Sequence, residues 1–496
     1  MKVDNWILKQ AETAPDRLAV DDGKTQLTFL ELKQQVSQLA GQLKAASVLD
    51  GDRVAIMTKN SLLGYLMALA VLGSGKTIVW INWRLSDDEI KRQLSDSERA
   101  ACLVADELFR ESFDQQFIPF STITNQTAVQ VTLVPEFPSQ TVASIMYTSG
   151  TTGRPKGVMQ TFGNHLASAT ASTFNLGVMP GDEWLCAVPI FHISGFSIMM
   201  RGLIYGMANR LVDHFDAELI DRVLKHEPIS TISVVPYMLK QLLKYRTADN
   251  TPYQANFRCM LLGGGPIDRP TLQQCRQRQI PVVQSYGMTE TCSQISALNS
   301  ADADKRIGSV GKPLFLTQLT LSQANQEVLI KTPALTPGYL NRQAAFQRKL
   351  NDTGWYRTGD VGHFDEDGFL YIDGRLDDMI ISGGENIFPD EVEAAYANRP
   401  DIDEIAVVGQ DDAKWGQVPT AFVVSDAPLD QADLTAYGRQ KLAHYKVPTR
   451  FIKIDKLPTN ASGKVQRFKL KQLLYSETLT SLQSRVNHFT QVAGLF

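Results

Sequence analysis

An α/β fold, with a large multi-sheet N-terminal domain and a small α+β C-terminal domain, is predicted by three observations. Short apolar runs alternate with helical patterns through the first two thirds of the chain, glycine recurs where those runs end, and the spacing of elements shortens after about Gly374. Strands punctuated by helices imply largely parallel sheets, and ligands then bind at the strands' carboxyl ends. At 496 residues the chain exceeds what one hydrophobic core usually serves, so two or more domains are expected.

The first expected strands are RVAIM (53–57) and TIVWI (77–81). Between them Leu62–Gly73 is uninterrupted apolar sequence, too short for a membrane helix of about 20 residues, and reads as a buried helix. Gly73, Ser74, Gly75, Lys76 and Thr77 resemble the end of a phosphate-binding P-loop, but Ala70 stands where its first glycine belongs. That loop also runs from strand to helix, aiming helix-start amides at phosphate; here a helix precedes and a strand follows, so the match is a decoy. ASIMYT (143–148), TISVV (231–235), RCMLLG (258–263) and PVVQSYG (281–287) continue the strand series. After Gly374 come DMIISG, a helix from about Pro389 to Ala397, EIAVVG, TAFVVS, a helix near Asp430 to His444, and RFIKI. These place a domain boundary near Arg375 to Asp377, dividing residues 1–375 from 376–496. The tail after Ser476 carries no functional signal.

Composition narrows the function. The 43% hydrophobic, 21% charged and 8% aromatic content is globular rather than disordered or fibrous. With 49 Lys and Arg against 53 Asp and Glu, the net charge of -4 gives no positive field for general nucleic-acid or polybasic membrane binding, so small molecules are the expected partners. Cys102, Cys186, Cys259, Cys275 and Cys292 are scattered and form no CxxC pair, which argues against a disulfide framework or structural zinc and for a reducing compartment. The opening MKVDNWILKQAE lacks the apolar core of a signal peptide, so a cytoplasmic protein without a membrane span is expected. Association of copies of the chain is left open.

The strongest chemical signal is YTSGTTGRPKGV, Tyr147 to Val158, directly after an apolar run. Gly150, Gly153 and Gly157 permit close backbone approach and positive φ. Thr148, Ser149, Thr151 and Thr152 offer hydroxyls, and Lys156 a cation. Such a loop suits a polyphosphate, whereas a plain glycine-rich turn needs neither four hydroxyls nor a lysine.

This segment resembles the adenylate-forming family of acyl-CoA synthetases, nonribosomal adenylation domains and luciferases. Further motifs of that family follow in order across nearly the whole chain: LLGGGP (261–266), QSYGMTE (284–290), YRTGD (356–360), GRLDDMIISGGENI (374–387) and LPTNASGK (457–464). The resemblance implies that family's fold, with ATP, Mg2+ and coenzyme A as ligands. Gly263, Gly264 and Gly265 would form the adenine wall with Tyr286 stacking on the base beside Gly287. Thr289 would contact phosphate and Glu290 would bind magnesium, for which one carboxylate is enough because nucleotide oxygens and waters complete the shell. The resemblance also makes Asp360 the ribose acceptor, Arg375 a second nucleotide contact and Asp377 the hinge. Lys464 would be the catalytic lysine, its ammonium bridging the attacking carboxylate and the α-phosphate. Gly383 and Gly384 would line the channel for the pantetheine arm of CoA after the small domain rotates.

For the acyl substrate, QTFGNH (160–165), PIFHISG (189–195), LLGGGP (261–266) and QSYGMTETCSQI (284–295) are most similar to the family members that ligate 2-succinylbenzoate to CoA in menaquinone biosynthesis. Arg201 interrupts the apolar stretch ISGFSIMMRGLIYG, where a cation could pair with the substrate's second, unreacted carboxylate; pairing with a protein acid or an outward-snorkelling side chain is the alternative. His192, Ser194 and Gly195 are expected to line the acyl pocket. His192 is expected as a binding residue, since a carboxylate near pH 7 needs no general base. The rival readings are another aryl- or medium-chain acyl-CoA ligase, an enzyme loading a carrier protein, and a nonenzymatic adenylate-binding sensor. One departure from the family pattern stands out: Gln326 precedes Glu327 where a glycine is usual, in a segment between Lys312 and Lys331 that is shorter than usual.

Overall fold

The computed structural model describes residues 1–98, 101–114, 116–148, 155–246, 251–265, 267–303, 305–459 and 465–474. The apolar runs become strands whose ends fall within about one residue of those expected: Arg53–Met57, Thr77–Trp80, Val142–Thr148, Thr231–Val234, Cys259–Leu262 and Val282–Met288. The predicted buried helix is Leu62–Gly73, in which every residue from Gly64 to Gly73 is buried. The Ser61 hydroxyl accepts from Gly64 N at 3.1 Å and starts the helix, satisfying a donor that would otherwise be orphaned. Because this helix is apolar all round, it is a core element rather than an amphipathic surface one.

Two large sheets carry the fold. A six-stranded sheet runs in the order Lys156–Thr161, Val142–Thr148, Thr77–Trp80, Arg53–Met57, Ala101–Val104, Phe117–Pro119. It is parallel except at Lys156–Thr161, which pairs antiparallel with Val142–Thr148. On one face Ala55, Met57, Val79 and Ile145 pack with Ile90 and Leu94 of the helix Asp87–Asp96, each of the side chains larger than alanine worth about 1.5–3 kcal/mol of transfer energy. A nine-stranded sheet has a parallel centre, Val282–Met288, Cys259–Leu262, Thr231–Val234, Glu183–Cys186, Ala208–Leu211 and Leu18–Asp21. Antiparallel strands lie at its edges, with Ser293–Ala297 and Lys312–Pro313 at one and Gln26–Thr28 at the other. A small four-stranded sheet follows, ordered Gln318–Leu321, Glu327–Lys331, Tyr356–Phe364, Leu370–Arg375.

Spatial proximity along the chain defines two compact units. One comprises Met1–Thr320, Leu329–Thr358 and Phe364–Tyr371; the other Leu321–Val328, Gly359–His363 and Ile372–Phe496. In the second unit the strands Glu385–Ile387, Ile380–Ser382, Gly416–Val424, Glu404–Asp412 and Arg450–Lys453 form one sheet. Its alternating residues serve two cores: Val407, Ala421 and Val423 pack with Val392, Tyr396 and Leu434 of the helices Pro389–Tyr396 and Gln431–Lys441. Ala406, Val408 and Phe422 pack instead with Leu457, Leu470 and Leu474. Apolar residues on both faces explain why EIAVVG reads as one continuous apolar run rather than an alternating one. Among the described residues no helix is long and apolar enough to cross a membrane.

Gln326 adopts φ 57°, the left-handed conformation that glycine takes without strain, so at this turn a residue with a Cβ bears the conformational cost. Beyond that turn Glu327 Oε1 accepts from Gly359 N at 2.9 Å.

Candidate active site

The strands that flank the expected phosphate loop in sequence pair antiparallel. Thr148 and Lys156 sit opposite one another in the antiparallel pairing, both half-buried, while Ser149, Gly150, Thr151, Thr152 and Gly153 lie outside the described residues. Gly157 is within the returning strand, where an added Cβ would come 3.1–3.3 Å from Ile145, Leu340 and Tyr147. Room, rather than the positive φ expected from the sequence, is what requires glycine there.

Thr289 and Glu290 occupy a short 3-10 turn, Thr289–Thr291, between the antiparallel strands Val282–Met288 and Ser293–Ala297. Tight geometry holds it. A Cβ on Gly287 would stand 2.1 Å from Ser293 O, and Cys292 and Ser293 have φ of 51° and 104°. Thr289 O accepts from the buried Gln160 Nε2 at 3.0 Å, and Glu290 O accepts from Thr336 N at 2.7 Å. Glu290 Oε1 accepts from Tyr339 Oη at 2.9 Å, and Tyr339 Oη lies 3.1 Å from Tyr356 Oη. Burial, with Glu290 and Tyr339 nearby, pushes the Tyr356 phenol well above its ordinary range, so it stays protonated. Lys156 Nζ stands 5.2 Å from the Tyr339 ring centroid. One lysine, one carboxylate and two phenols thus converge at the carboxyl ends of parallel strands.

At the neighbouring strand end Gly263, Gly264 and Gly265 follow Cys259–Leu262, with Gly264 at φ 85° and both Gly264 and Gly265 exposed. This leaves an open backbone ledge beside the half-buried Tyr286. A flat ring could approach it without meeting a side chain.

On the acyl side, His192 is the residue before the helix Ile193–Tyr205, and its Nε2 is buried with no hydrogen-bond partner among the described residues. Burial, with Arg84 nearby, pulls its pKa down to about 4, so the ring is neutral at pH 7. Ser194 is half-buried, and Gly195 packs so closely that a Cβ would sit 2.4 Å from Pro189 O. Arg201 is 2% exposed. Among the described residues it forms no ion pair; its guanidinium Nη2 lies 3.4 Å from Ser168 Oγ and its Cζ 5.5 Å from the Trp184 ring. Neither alternative read from the sequence, an acidic protein partner or an outward side chain, is what the described residues show. His165 packs edge-on to Phe196 at 5.1 Å and meets Ser144 Oγ at 3.2 Å. Burial first, then Arg201, pulls its pKa down to about 3. Ser144 Oγ in turn donates to Gln160 Oε1 at 2.6 Å. Ser168, Trp184, His165, Tyr339 and Tyr356 were not picked out by sequence reasoning. Only QTFGNH, which contains Gln160 and His165, and YRTGD, which begins at Tyr356, carried a signal.

Within the second unit Asp360 is 6% exposed and accepts from Arg375 Nη1 at 2.7 Å, so two residues expected as separate nucleotide contacts form one ion pair. Asp377 is exposed. Gly383 and Gly384 turn the hairpin between Ile380–Ser382 and Glu385–Ile387 with φ of 60° and 90°. Gly383 N donates to Trp415 O at 2.7 Å, and a Cβ on it would lie 2.9 Å from the Trp415 ring. Lys464 lies outside the described residues.

A single carboxylate with one oxygen already held is a poor cage for a metal of its own, but it fits a hard cation that arrives on nucleotide phosphates and keeps several waters. A glycine turn with two exposed residues, a lysine and a carboxylate that both meet Tyr339, and a buried guanidinium are groups suited to a nucleotide and an anionic organic substrate. The chain belongs to the AMP-binding enzyme family, matching AMP-binding enzyme over residues 7–340 and AMP-binding enzyme C-terminal domain over residues 391–464.

Its relatives narrow the class. It is 45% identical over 469 residues to the 2-succinylbenzoate–CoA ligase of Listeria monocytogenes serotype 4b, covering 94% of this chain and 99% of the relative. The enzyme of the same name from Bacillus licheniformis is 42% identical over 477 residues, covering 94% and 99%. The fold superposes with TM-score 0.89 on o-succinylbenzoate CoA synthetase (MenE) of Bacillus subtilis in complex with the acyl-adenylate intermediate OSB-AMP, at 38% identity and coverage of 95% and 98%. A structure of that protein with ATP and magnesium ion gives 0.88 at 38% identity, covering 95% and 100%.

Proposed function

We infer that the chain is an AMP-forming acid–thiol ligase that joins 2-succinylbenzoate to coenzyme A, a step of menaquinone biosynthesis. The observation in this structure that carries the choice of acid is Arg201, a buried guanidinium that meets the Ser168 and Tyr205 hydroxyls and the Trp184 indole and forms no ion pair among the described residues. A buried cation calls for an anion, and 2-succinylbenzoate offers a second carboxylate besides the one that reacts. His192 Nε2, buried and lacking a partner among the described residues, is a further polar atom at the start of the same helix and would be satisfied by a bound acid.

In the first step an oxygen of the reacting carboxylate attacks the α-phosphorus of ATP. The bond to pyrophosphate breaks and an acyl adenylate forms. No proton has to leave, which accords with a neutral His192 that binds rather than abstracts. Thr148, Lys156 and the loop 149–153 would hold the phosphates, and the ledge Gly263–Gly265 with Tyr286 and Gly287 would seat the base. Thr289 would contact phosphate, Asp360 the ribose, and Glu290 the magnesium ion, which supplies charge neutralisation on the phosphate oxygens. In the second step the CoA sulfur attacks the acyl carbon and AMP departs with the bonding pair.

The division at residue 375, with 376–496 as a mobile domain carrying Lys464 for the first step and Gly383 and Gly384 for the thiol channel, belongs to the same proposal. The reversal at Asp377 would exchange the two. Arg375, already bonded to Asp360, would steady the ribose acceptor as well as meet nucleotide. A cytoplasmic site of action is supported by five buried free thiols and by the need for ATP and CoA. The test is CoA-thioester formation across mono- and dicarboxylic aromatic acids. Preference for 2-succinylbenzoate over benzoate is expected, and equal turnover of the two would refute the assignment of the acid.

A further inference from the structure

We propose that Tyr339 is a positioning residue for Glu290, holding Oε1 of its carboxylate so that Oε2 is the oxygen presented to a divalent cation on the nucleotide. The proposal rests on the reading of Glu290 as the metal carboxylate, and it assigns work to two phenols and a turn that the motif itself does not contain.

The hydrogen-bond direction follows from chemistry. A carboxylate only accepts, so the Tyr339 hydroxyl donates to Glu290 Oε1, and its oxygen is then the acceptor for the Tyr356 hydroxyl 3.1 Å away. Both phenols are buried, at 2% and 1% exposure, so the chain Tyr356 to Tyr339 to Glu290 runs where water does not compete. Phe346 packs against both rings, at 5.7 Å from Tyr339 and 5.8 Å from Tyr356. Glu290 Oε2 accepts no hydrogen bond among the described residues.

Tyr339 is also tied to the strand that carries Lys156. Met159 N donates to Gly338 O at 3.2 Å and Leu340 N donates to Gly157 O at 2.8 Å, making a bridge in which Val158 faces Tyr339. The Thr336 hydroxyl closes the turn by accepting from Gly338 N at 3.1 Å, while Thr336 N holds Glu290 O. The Tyr339 ring lies 5.2 Å from the Lys156 ammonium, a cation–π distance. One residue therefore touches both groups of opposite charge that the nucleotide's phosphates and cation would meet, and sets the distance between them.

Tyr339→Phe removes the hydroxyl and keeps the ring, its contact with Lys156 and its packing. The measurement is Mn2+ affinity of the complex with a nonhydrolysable ATP analogue, by electron paramagnetic resonance, beside the Mg2+ dependence of pyrophosphate exchange. Both constants are expected to weaken about 10-fold or more, the usual range for a residue that orients a metal ligand, with metal-free AMP binding unchanged. Tyr356→Phe should move them the same way by less. If Tyr339→Phe leaves both within about twofold while Glu290→Gln weakens them, this proposal falls and the role of Glu290 stands. If Glu290→Gln moves neither, the role of Glu290 falls and this proposal with it. Loss of AMP binding in Tyr339→Phe would mark a structural role instead and also overturn it.

Discussion

Replacing Arg201 with methionine separates the two consequences of burying a charge that has no counterion among the described residues. The side chain is 2% exposed, and the Ser168 and Tyr205 hydroxyls and the Trp184 ring return only part of the solvation it has lost. Methionine keeps an unbranched stem in the same space and removes the charge, so the ligand-free variant is expected to be more stable than the parent, by about 1–3 kcal/mol. With substrate the sign reverses. Removing one partner of a buried charge pair costs roughly 3–5 kcal/mol. At about 1.36 kcal/mol per decade that is a loss of roughly 10²- to 10⁴-fold in kcat/KM for 2-succinylbenzoate. Benzoate has no second carboxylate and should lose less than about threefold. Thioester formation followed by chromatography gives the ratio of the two acids, and urea unfolding of the ligand-free proteins gives the stability. Equal losses with both acids, or a variant less stable than its parent, would refute the reasoning.

Glu183 is 5% exposed, and burial together with Asp21 and Glu227, opposed by Arg210, pushes its carboxyl up to about 7. The folded state therefore binds this proton more tightly than the unfolded chain, so its contribution is complete below the ordinary carboxylate range and is lost as pH rises through 7. Glu183→Gln should match the parent near pH 4 and exceed it by about 2–3 kcal/mol at pH 8, read from urea midpoints; no pH dependence in that difference would contradict it. Gln326→Gly relieves a φ of 57° and should raise stability by about 0.5–1 kcal/mol, net of glycine's greater freedom in the unfolded chain. Gly287→Ala forces a methyl to within 2.1 Å of Ser293 O. The turn bearing Thr289 and Glu290 must shift, and pyrophosphate exchange should fall about 100-fold while the thermal transition survives; unchanged exchange would show that the turn tolerates the methyl.

What was legible in the sequence was local. Leu62–Gly73 and the strands of both units are continuous or alternating apolar runs, and burial follows from such runs whatever their neighbours. For the motif glycines the position was legible and the geometry was not: Gly157, expected at positive φ, is held by lack of room, whereas Gly264, Gly383 and Gly384, expected for their lack of bulk, adopt positive φ. What stayed hidden depends on pairing across long stretches of chain. Nothing near Glu290 in sequence announces Tyr339, which arrives through a turn pinned to Gly157 and Met159. Arg201 was visible as a charge in an apolar stretch, but its neighbours Ser168 and Trp184 come from another helix and a strand. The pairing of Asp360 with Arg375 joins neighbouring strands of one sheet, which motif spacing does not encode.

The most direct test of the account is to incubate the protein with ATP, Mg2+ and 2-succinylbenzoate before any CoA is present. Mass spectrometry of the quenched mixture should find the acyl adenylate with an equal amount of pyrophosphate, and later addition of CoA should convert it to thioester and AMP. Release of ADP and phosphate, or thioester formation without any adenylate on the way, would contradict the central claim.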